Sequence, residues 1–371
     1  MRCSKWQEVE LGDICDTISD TIRKDEFQNV VLINTSDVLD GEVTNHILVR
    51  NKDLKGQFKK KFIKNDILYS EIRPKNKRFA YIDFDSEGYI ASTKLMVLRN
   101  RANLVSSDFL YTILKSDFII NQLQHLAETR SGTFPQITFS ELSKLKILLP
   151  SIEKQKEIVN ILFLLDNKIK INSKINENLE EQAQAIFRSC FLVCETNGTL
   201  GEIILEHPKS KIKVGDAKGV KGIYPFYTSG QAILQYNIAL VSGRNCYLNT
   251  GGNADVKFHI GCAAYSTDTW CITGTNGLSD YLYLLLKSIS TELNNKYFEG
   301  SALKHLQKNS LKSRSIYIPT QLEMIQFNEI VNPIFDNIIS NNLENNQLIL
   351  LRDTLLPKLM SGELDVLDIE L

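Results

Sequence analysis

The sequence is short of what would mark a secreted, membrane-spanning or metal-dependent protein. Its seven cysteines, at 3, 15, 190, 194, 246, 262 and 271, are scattered, with no CxxC and no pairing with the five histidines at zinc-ligand spacing. That pattern speaks for reduced cysteines, mostly in cores, and against a disulfide framework or a metal site. No uninterrupted apolar run approaches the ~18 residues of a membrane helix, and the start, MRCSKWQEVE, lacks a signal-peptide core. A cytoplasmic chain is expected.

The tools of catalysis are missing as well. There is no GxxxxGK(S/T); the nearest stretch, VGDAKGVKG, lacks the hydroxyl residue after lysine and the right spacing. No GxGxxG opens a helix after a strand, and HExxH, GxSxG and the Asn-Pro-Pro-aromatic signature of amino-group DNA methyltransferases do not occur. Carboxylates are plentiful but form no evident nuclease constellation. A chain without catalytic signatures is expected to be a binder.

What is present is a soluble composition, 43% apolar and 23% charged, over 371 residues, enough for two or three domains. The net charge of −1 hides an uneven distribution. Lys and Arg against Asp and Glu number 22 to 20 in residues 1–149, 6 to 7 in 150–196, 13 to 8 in 197–318 and 2 to 9 in 319–371. Two mildly basic blocks alternate with a neutral and an acidic one.

The sequence also repeats itself. DFLYTILKS (108–116) returns as DYLYLLLKS (280–288), identical at six of nine positions. GTFPQITFSELSKLKILLP (132–150) returns as GSALKHLQKNSLKSRSIYIP (300–319), and DILYSEIR (66–73) has a weaker echo in IALVSGR (238–244), matching Leu68 with Leu240 and Ser70 with Ser242. A period near 170 is too long for a solenoid and indicates duplication of a whole domain.

A long helix is expected after each copy. Ile158, Leu162, Leu165, Ile169, Leu179, Ala183 and Ile186 keep one apolar seam through to about Phe191. After Pro319 the pattern is noisier, with Phe327, Val331, Ile334, Ile338, Ile349, Leu356 and Leu359 on one side, and Pro333 is expected to kink or delay that helix. Each segment would make a rod of roughly 60 Å. Asn172 and Asn176 fill apolar slots of the first seam, and Asn342 and Asn346 follow at the repeat offset in the second. Asparagine there costs stability but sets register, and an antiparallel pairing would bring the two pairs together. The fold class expected is α/β (α+β), two domains in tandem, separated by two long helices forming an antiparallel coiled coil, with an internal pseudo-two-fold repeat. Solvated helices carrying asparagine for no special reason are the alternative, and they would leave two long apolar seams exposed.

Two stretches suit nucleic acid. Residues 50–78, RNKDLKGQFKKKFIKNDILYSEIRPKNKR, carry 11 basic and 3 acidic residues with Phe58, Phe62 and Tyr69 interleaved. Phosphate contacts or a solvated charged face account for this stretch equally well. SGRNCYLNTGGNADVKFH (242–259) holds glycines, asparagines and an arginine, the residue types that read adenine and guanine, and is also an ordinary surface loop by composition. Two similar, non-identical domains imitate a DNA-binding dimer, whose readers stand about 34–36 Å apart. Diverged copies would read an asymmetric site split by an unread gap.

LPSIEKQKEIVNILFLLDNKIKINSKINENLEEQAQAIFRSCF (149–191) resembles the central helical region of the specificity subunit of type I restriction-modification systems, and LRDTLLPKLMSGELDV (351–366) resembles its C-terminal end. GIYPFYTSG (222–230), STDTW (266–270) and the GSALKHL element are similar to pieces of its target recognition domains. The resemblance implies a target recognition domain over 1–150, a central helical region over 151–194, a second recognition domain over 195–319 and a C-terminal helical region over 320–371. It implies double-stranded DNA as ligand, two methyltransferase subunits carrying S-adenosylmethionine docked on the helices, and a restriction subunit using ATP and Mg. No cofactor, membrane or catalysis would belong to this chain. By repeat position the DNA-contacting residues expected are Ser70, Arg73, Lys75 and Lys77, then Ser242, Arg244, Asn249 and Asn253, with Thr133, Phe134, Gln136, Ser301 and Lys304 near the repeated glycines. Arg73→Ala and Arg244→Ala are each expected to weaken site binding. A specificity subunit of a type IIB-like system, with fused methyltransferase and nuclease in its partner, and a coiled-coil scaffold that ignores DNA are the competing readings.

Overall fold

The computed structural model describes residues 6–23, 26–51, 56–101, 103–130, 135–300 and 303–369. The chain divides into two compact units, Met1–Lys168 with Gln347–Leu371, and Ile169–Asn346.

In the first unit an antiparallel sheet runs in the order Cys15–Ile18, Leu95–Asn100, Ile67–Ser70, Phe79–Tyr81. A second sheet, ordered Leu48–Arg50, Asn29–Ile33, Tyr89–Ser92, Phe58–Lys61, contains a parallel pair, Asn29–Ile33 with Tyr89–Ser92. The second unit repeats the plan with Ile204–Glu206, Thr269–Gly274, Arg244–Asn249, Val256–Ile260 as the antiparallel sheet, and a parallel pair of Tyr224–Tyr227 with Ala264–Tyr265 in the other.

The repeated motif is the same helix in both units. In the first it spans Ser107–Leu114, started by Ser106, whose Oγ accepts from the Phe109 N–H. Phe109, Leu110, Ile113 and Leu114 are buried against Ile158, Leu162 and Leu165 at the start of the first long helix, Ile152–Phe191. In the second unit the helix spans Ser279–Ser288, and Tyr281, Leu282, Leu284 and Leu285 pack with Ala183, Phe187 and Phe191. Each such side chain contributes about 1.5–3 kcal/mol on burial, so the repeated apolar letters are core letters. The repeated lysine has a role too: Lys115 donates to Asp166 at 3.0 Å in the first unit, and Lys287 lies 3.7 Å from Glu180 in the second.

Antiparallel helix pairing is seen within each unit. In the first, Asp166 accepts from Arg352 at 2.8 Å, and Lys154 pairs with Asp365. Burial raises the Asp166 pKa, and Lys115 and Arg352 overcome that to hold it below the ordinary carboxylate range. In the second unit Asn172, 1% exposed, donates to Asn345 at 3.0 Å and to Glu344 at 2.7 Å, while Asn176 donates to Asn342 at 3.0 Å and accepts from Asn341 at 2.8 Å. Asn342 thus meets Asn176, but Asn346 is exposed and Asn345 occupies the buried slot expected of it. The reason is geometric: antiparallel helices match positions that rise in one and fall in the other, so an offset copied from the direct repeat does not identify partners. Likewise Leu355 is buried where Leu356 was expected to be, and Ile349 is 37% exposed. The second long helix, Gln321–Ser361, begins well before Pro333, which therefore does not delay its start. A helical proline costs about 3 kcal/mol, and Phe327, Val331 and Phe335, buried around it, more than offset that.

Asn172→Leu alone is expected to cost the second unit about 2 kcal/mol, because Asn345 loses its donor in a buried setting. Adding Asn345→Leu should recover most of the loss; a double-mutant cycle by urea unfolding measures the coupling.

Candidate nucleic-acid interface

Strand register defines the equivalent loops. Ser70 ends its strand opposite Leu95, and Asn249 ends its strand opposite Thr269. Two residues on, Ile72 bridges to Gln136 and Gly251 bridges to His305. The counterpart of Ser70 is therefore Asn249, and that of Arg73 is Gly252. The sequence match of Ser70 with Ser242 is corrected by this pairing: residue 241 instead bridges to Ala263, ahead of the equivalent strand. A shared Leu and Ser in a short stretch carry too little pattern to set register.

In the first unit the loop brings Arg73, Lys75 and Gln136 together. The Arg73 N–H donates to the Pro135 carbonyl at 3.1 Å, beside Gln136, and the Lys75 N–H donates to Gln124 Oε1 at 3.1 Å. Arg73 (φ 45°) and Lys77 (φ 51°) are both left-handed, as is Asp40 (φ 44°), whose N–H donates to the Lys77 carbonyl at 2.8 Å. Such backbone costs about 1–3 kcal/mol per residue and concentrates at functional sites. The second unit builds the same bend with Gly252 (φ 86°).

The Arg73 and Lys75 side chains are exposed; Lys77 lies 3.7 Å from Asp117. Ser70, 2% exposed, exchanges hydrogen bonds with the Ile72 backbone and shapes the loop from beneath. Much of the basic stretch serves structure. Lys60 caps the Thr93 and Leu95 carbonyls at 3.1 and 2.7 Å, burial lowering its pKa; Lys61 pairs with Glu26, and Arg78 binds the Ser36 and Val38 carbonyls. Lys59 and Lys64, with Arg73 and Lys75, remain exposed.

In the second unit Asn249 is buried, donating to the Gly251 and Asn253 carbonyls and accepting from the Asp255 N–H at 2.8 Å. It organises a loop that exposes Asn253. The Lys304 carbonyl accepts from the Gly252 N–H at 2.9 Å, so Lys304 and the exposed His305 lie beside that loop. Arg244 is at the other end of the strand from Asn249, roughly 16 Å away at about 3.3 Å per residue, and Ser242 precedes the strand by two residues. Ser242 is exposed, whereas the Arg244 guanidinium is held by Asp280 at 2.7 Å and Asp336 at 2.8 Å. Thr133, Phe134 and Ser301 lie outside the described residues.

Sequence reasoning missed His305, although the GSALKHL element contains it. It also passed over a plainer repeat, LGDI (11–14) against LGEI (200–203). Both form a short helix with a capping box, and a Cβ on Gly12 or Gly201 would press on Ser143 at 2.9 Å or on Lys312 at 3.2 Å. Among the described residues no group of His, Cys, Asp or Glu is placed to hold a metal ion, and no helix is long and apolar enough to cross a membrane.

The chain thus holds two diverged copies of one module, presenting the same loop with different side chains. Comparison with known proteins finds relatives of one kind. A family model described as type I restriction modification DNA specificity domain matches residues 3–181. The type I restriction enzyme HindI specificity subunit of Haemophilus influenzae is 46% identical over 189 residues, which are 51% of this chain and only 41% of that protein. The MjaIX specificity subunit of Methanocaldococcus jannaschii is 24% identical over 329 residues, 75% of this chain and 76% of that protein. The S subunit of a type I restriction-modification system from M. genitalium superposes with a TM-score of 0.57 at 17% identity over 97% of both chains. A chain from a type I system solved for its complex assembly and conformational transition gives 0.51 at 17% identity, over 97% of this chain and 98% of that one. At those identities the structural likeness is one of fold. Over residues 3–181 the chain is similar to this DNA specificity domain, and the relatives at 46% and 24% identity are both type I specificity subunits.

Proposed function

We propose that this chain is the DNA-reading subunit of a type I restriction-modification complex, each unit reading one half of an asymmetric, two-part site. The observation that supports this most is the pair of equivalent loops: Arg73, Lys75 and Gln136 in one, Asn253, Lys304 and His305 in the other, on the same backbone frame. A shared frame with different hydrogen-bonding side chains reads different base edges. The two long helices, 40 and 41 residues, supply the spacer for the unread gap, and their exposed apolar residues, Phe163, Leu164 and Leu350 among them, supply docking surface for two methyltransferase subunits. On this reading the chain is not catalytic. S-adenosylmethionine sits in the methyltransferase subunits, which flip the target adenine, ATP and Mg belong to the restriction subunit, and the complex works in the cytoplasm.

The test is co-expression with the cognate modification subunit in a host lacking its own adenine methylation, followed by sequencing for modified adenines. Methylation at a two-part asymmetric motif with a fixed gap is the expected result. Arg73→Ala should slow it about tenfold or more, in line with ~1–3 kcal/mol for a base-contacting arginine, at unchanged thermal stability. Unmodified DNA despite soluble, co-purifying proteins would sink the reading.

A further inference from the structure

A cleft in the second unit has no part in the function proposed above. It encloses about 280 Å³, with Lys209, Thr250, Thr267, Trp270 and Lys308 among its walls. Trp270 is 3% exposed, and the Lys308 ammonium stands over its ring, 4.8 Å from the centroid. Glu206, the carboxylate of the lining, is already engaged: it accepts from Trp270 Nε1 at 2.8 Å and pairs with Lys312. Lys308 lies close to Lys209 and Lys312, and burial, more than these like charges, pushes its pKa below the ordinary lysine range. The cleft therefore holds more positive charge than its own carboxylate neutralises.

The first unit shows that the fold does not require this charge. Strand register makes Met96 the counterpart of Trp270, and the bridges to Gln136 and His305 make Phe139 the counterpart of Lys308. Met96 is buried and Phe139 packs on the same core cluster, so an apolar pair fills the position there. In the second unit a cation on an indole replaces it, beside Thr250, whose carbonyl accepts from the Leu306 N–H at 3.1 Å in the frame of the recognition loop.

We propose that this cleft binds a phosphate of the DNA backbone, with Lys308 as the contacting ammonium and Lys209 flanking it. The inference rests on the DNA-reading function and adds to it a second-unit anchor that the first unit lacks. Thr267 lines the same cleft, while the Thr250 hydroxyl donates to the Asp268 carbonyl at 3.0 Å; a phosphate contact fixes the protein's position on the duplex without reading sequence.

The test uses the chain in complex with its modification subunits, a duplex carrying the methylated motif, a scrambled duplex, and a salt series. Lys308→Gln is expected to weaken both duplexes about tenfold and to make the slope of log K against log salt shallower by about 0.9, the loss of one phosphate contact. Lys308→Phe, which installs the first unit's residue, should do the same without lowering the melting temperature, separating a lost contact from lost folding. An unchanged slope in both variants, while the wild-type complex binds its motif with steep salt dependence, overturns the cleft and leaves the DNA-reading function standing. If inorganic phosphate stabilises the wild type but not Lys308→Gln while the slope stays unchanged, the cleft takes a free anion and the proposal is overturned. A wild-type complex that binds neither duplex overturns both.

Discussion

Arg244→Ala is expected to destabilise the second unit by about 3–5 kcal/mol, the cost of stranding a buried charge by removing its partner. The charge is Asp280, whose side chain is 2% exposed and accepts from Arg244 at 2.7 Å. Burial, opposed by Arg244, already raises the Asp280 pKa above the ordinary carboxylate range. A raised folded-state value means that ionising Asp280 costs stability: the penalty is absent below the ordinary aspartate range and grows as pH climbs through the raised value. Without Arg244 that value rises further, so the deficit of the variant should be smaller at about pH 5 than at about pH 8. Urea unfolding of the second unit at both pH values measures it. The sequence expectation that Arg244→Ala weakens site binding keeps its direction but changes its cause. Weakened binding at an unchanged unfolding midpoint would return Arg244 to the DNA interface.

Gln155→Ala should cost the first unit about 3 kcal/mol or more. Gln155 is 0% exposed, accepts from the Ser106 N–H at 3.0 Å, and donates to the Leu104 and Pro150 carbonyls at 3.0 Å each. It ties the first turns of the long helix to the residue that starts the repeated helix. Truncation leaves three backbone groups unpaired in a buried setting, each worth about 1–3 kcal/mol. Gln155→Glu, which exchanges the two N–H donors for acceptors, should be no milder. A midpoint change within about ±0.5 kcal/mol, the range of an ordinary surface site, would show that water replaces all three bonds.

Some of this was legible along the chain because the constraint is local and periodic. The repeated helix carries its apolar face and its lysine in nine consecutive residues, and both have the same tasks in the two units. The long helices announce themselves by seam. The LGDI and LGEI turns were equally readable, since a repeated four-residue motif with a capping box is a short-range feature, although the contacts of their glycines with Ser143 and Lys312 are not.

The recognition loops were legible only as regions. Arg73 and Arg244 look alike as letters, each an arginine shortly after a serine, yet one is exposed on a left-handed bend and the other is clasped by two aspartates. Ser70 matches Ser242 by spelling and Asn249 by strand pairing.

The sequence alone therefore determined the duplication, the helical segments and the lack of catalytic signatures, because each is written in adjacent or regularly spaced residues. Only the tertiary structure decided which loop is equivalent to which, whether Asn345 or Asn346 is buried, and which cations fasten the fold rather than face outward. Those outcomes depend on partners 20 to 173 positions away in the chain, and no local pattern encodes a pairing at that distance.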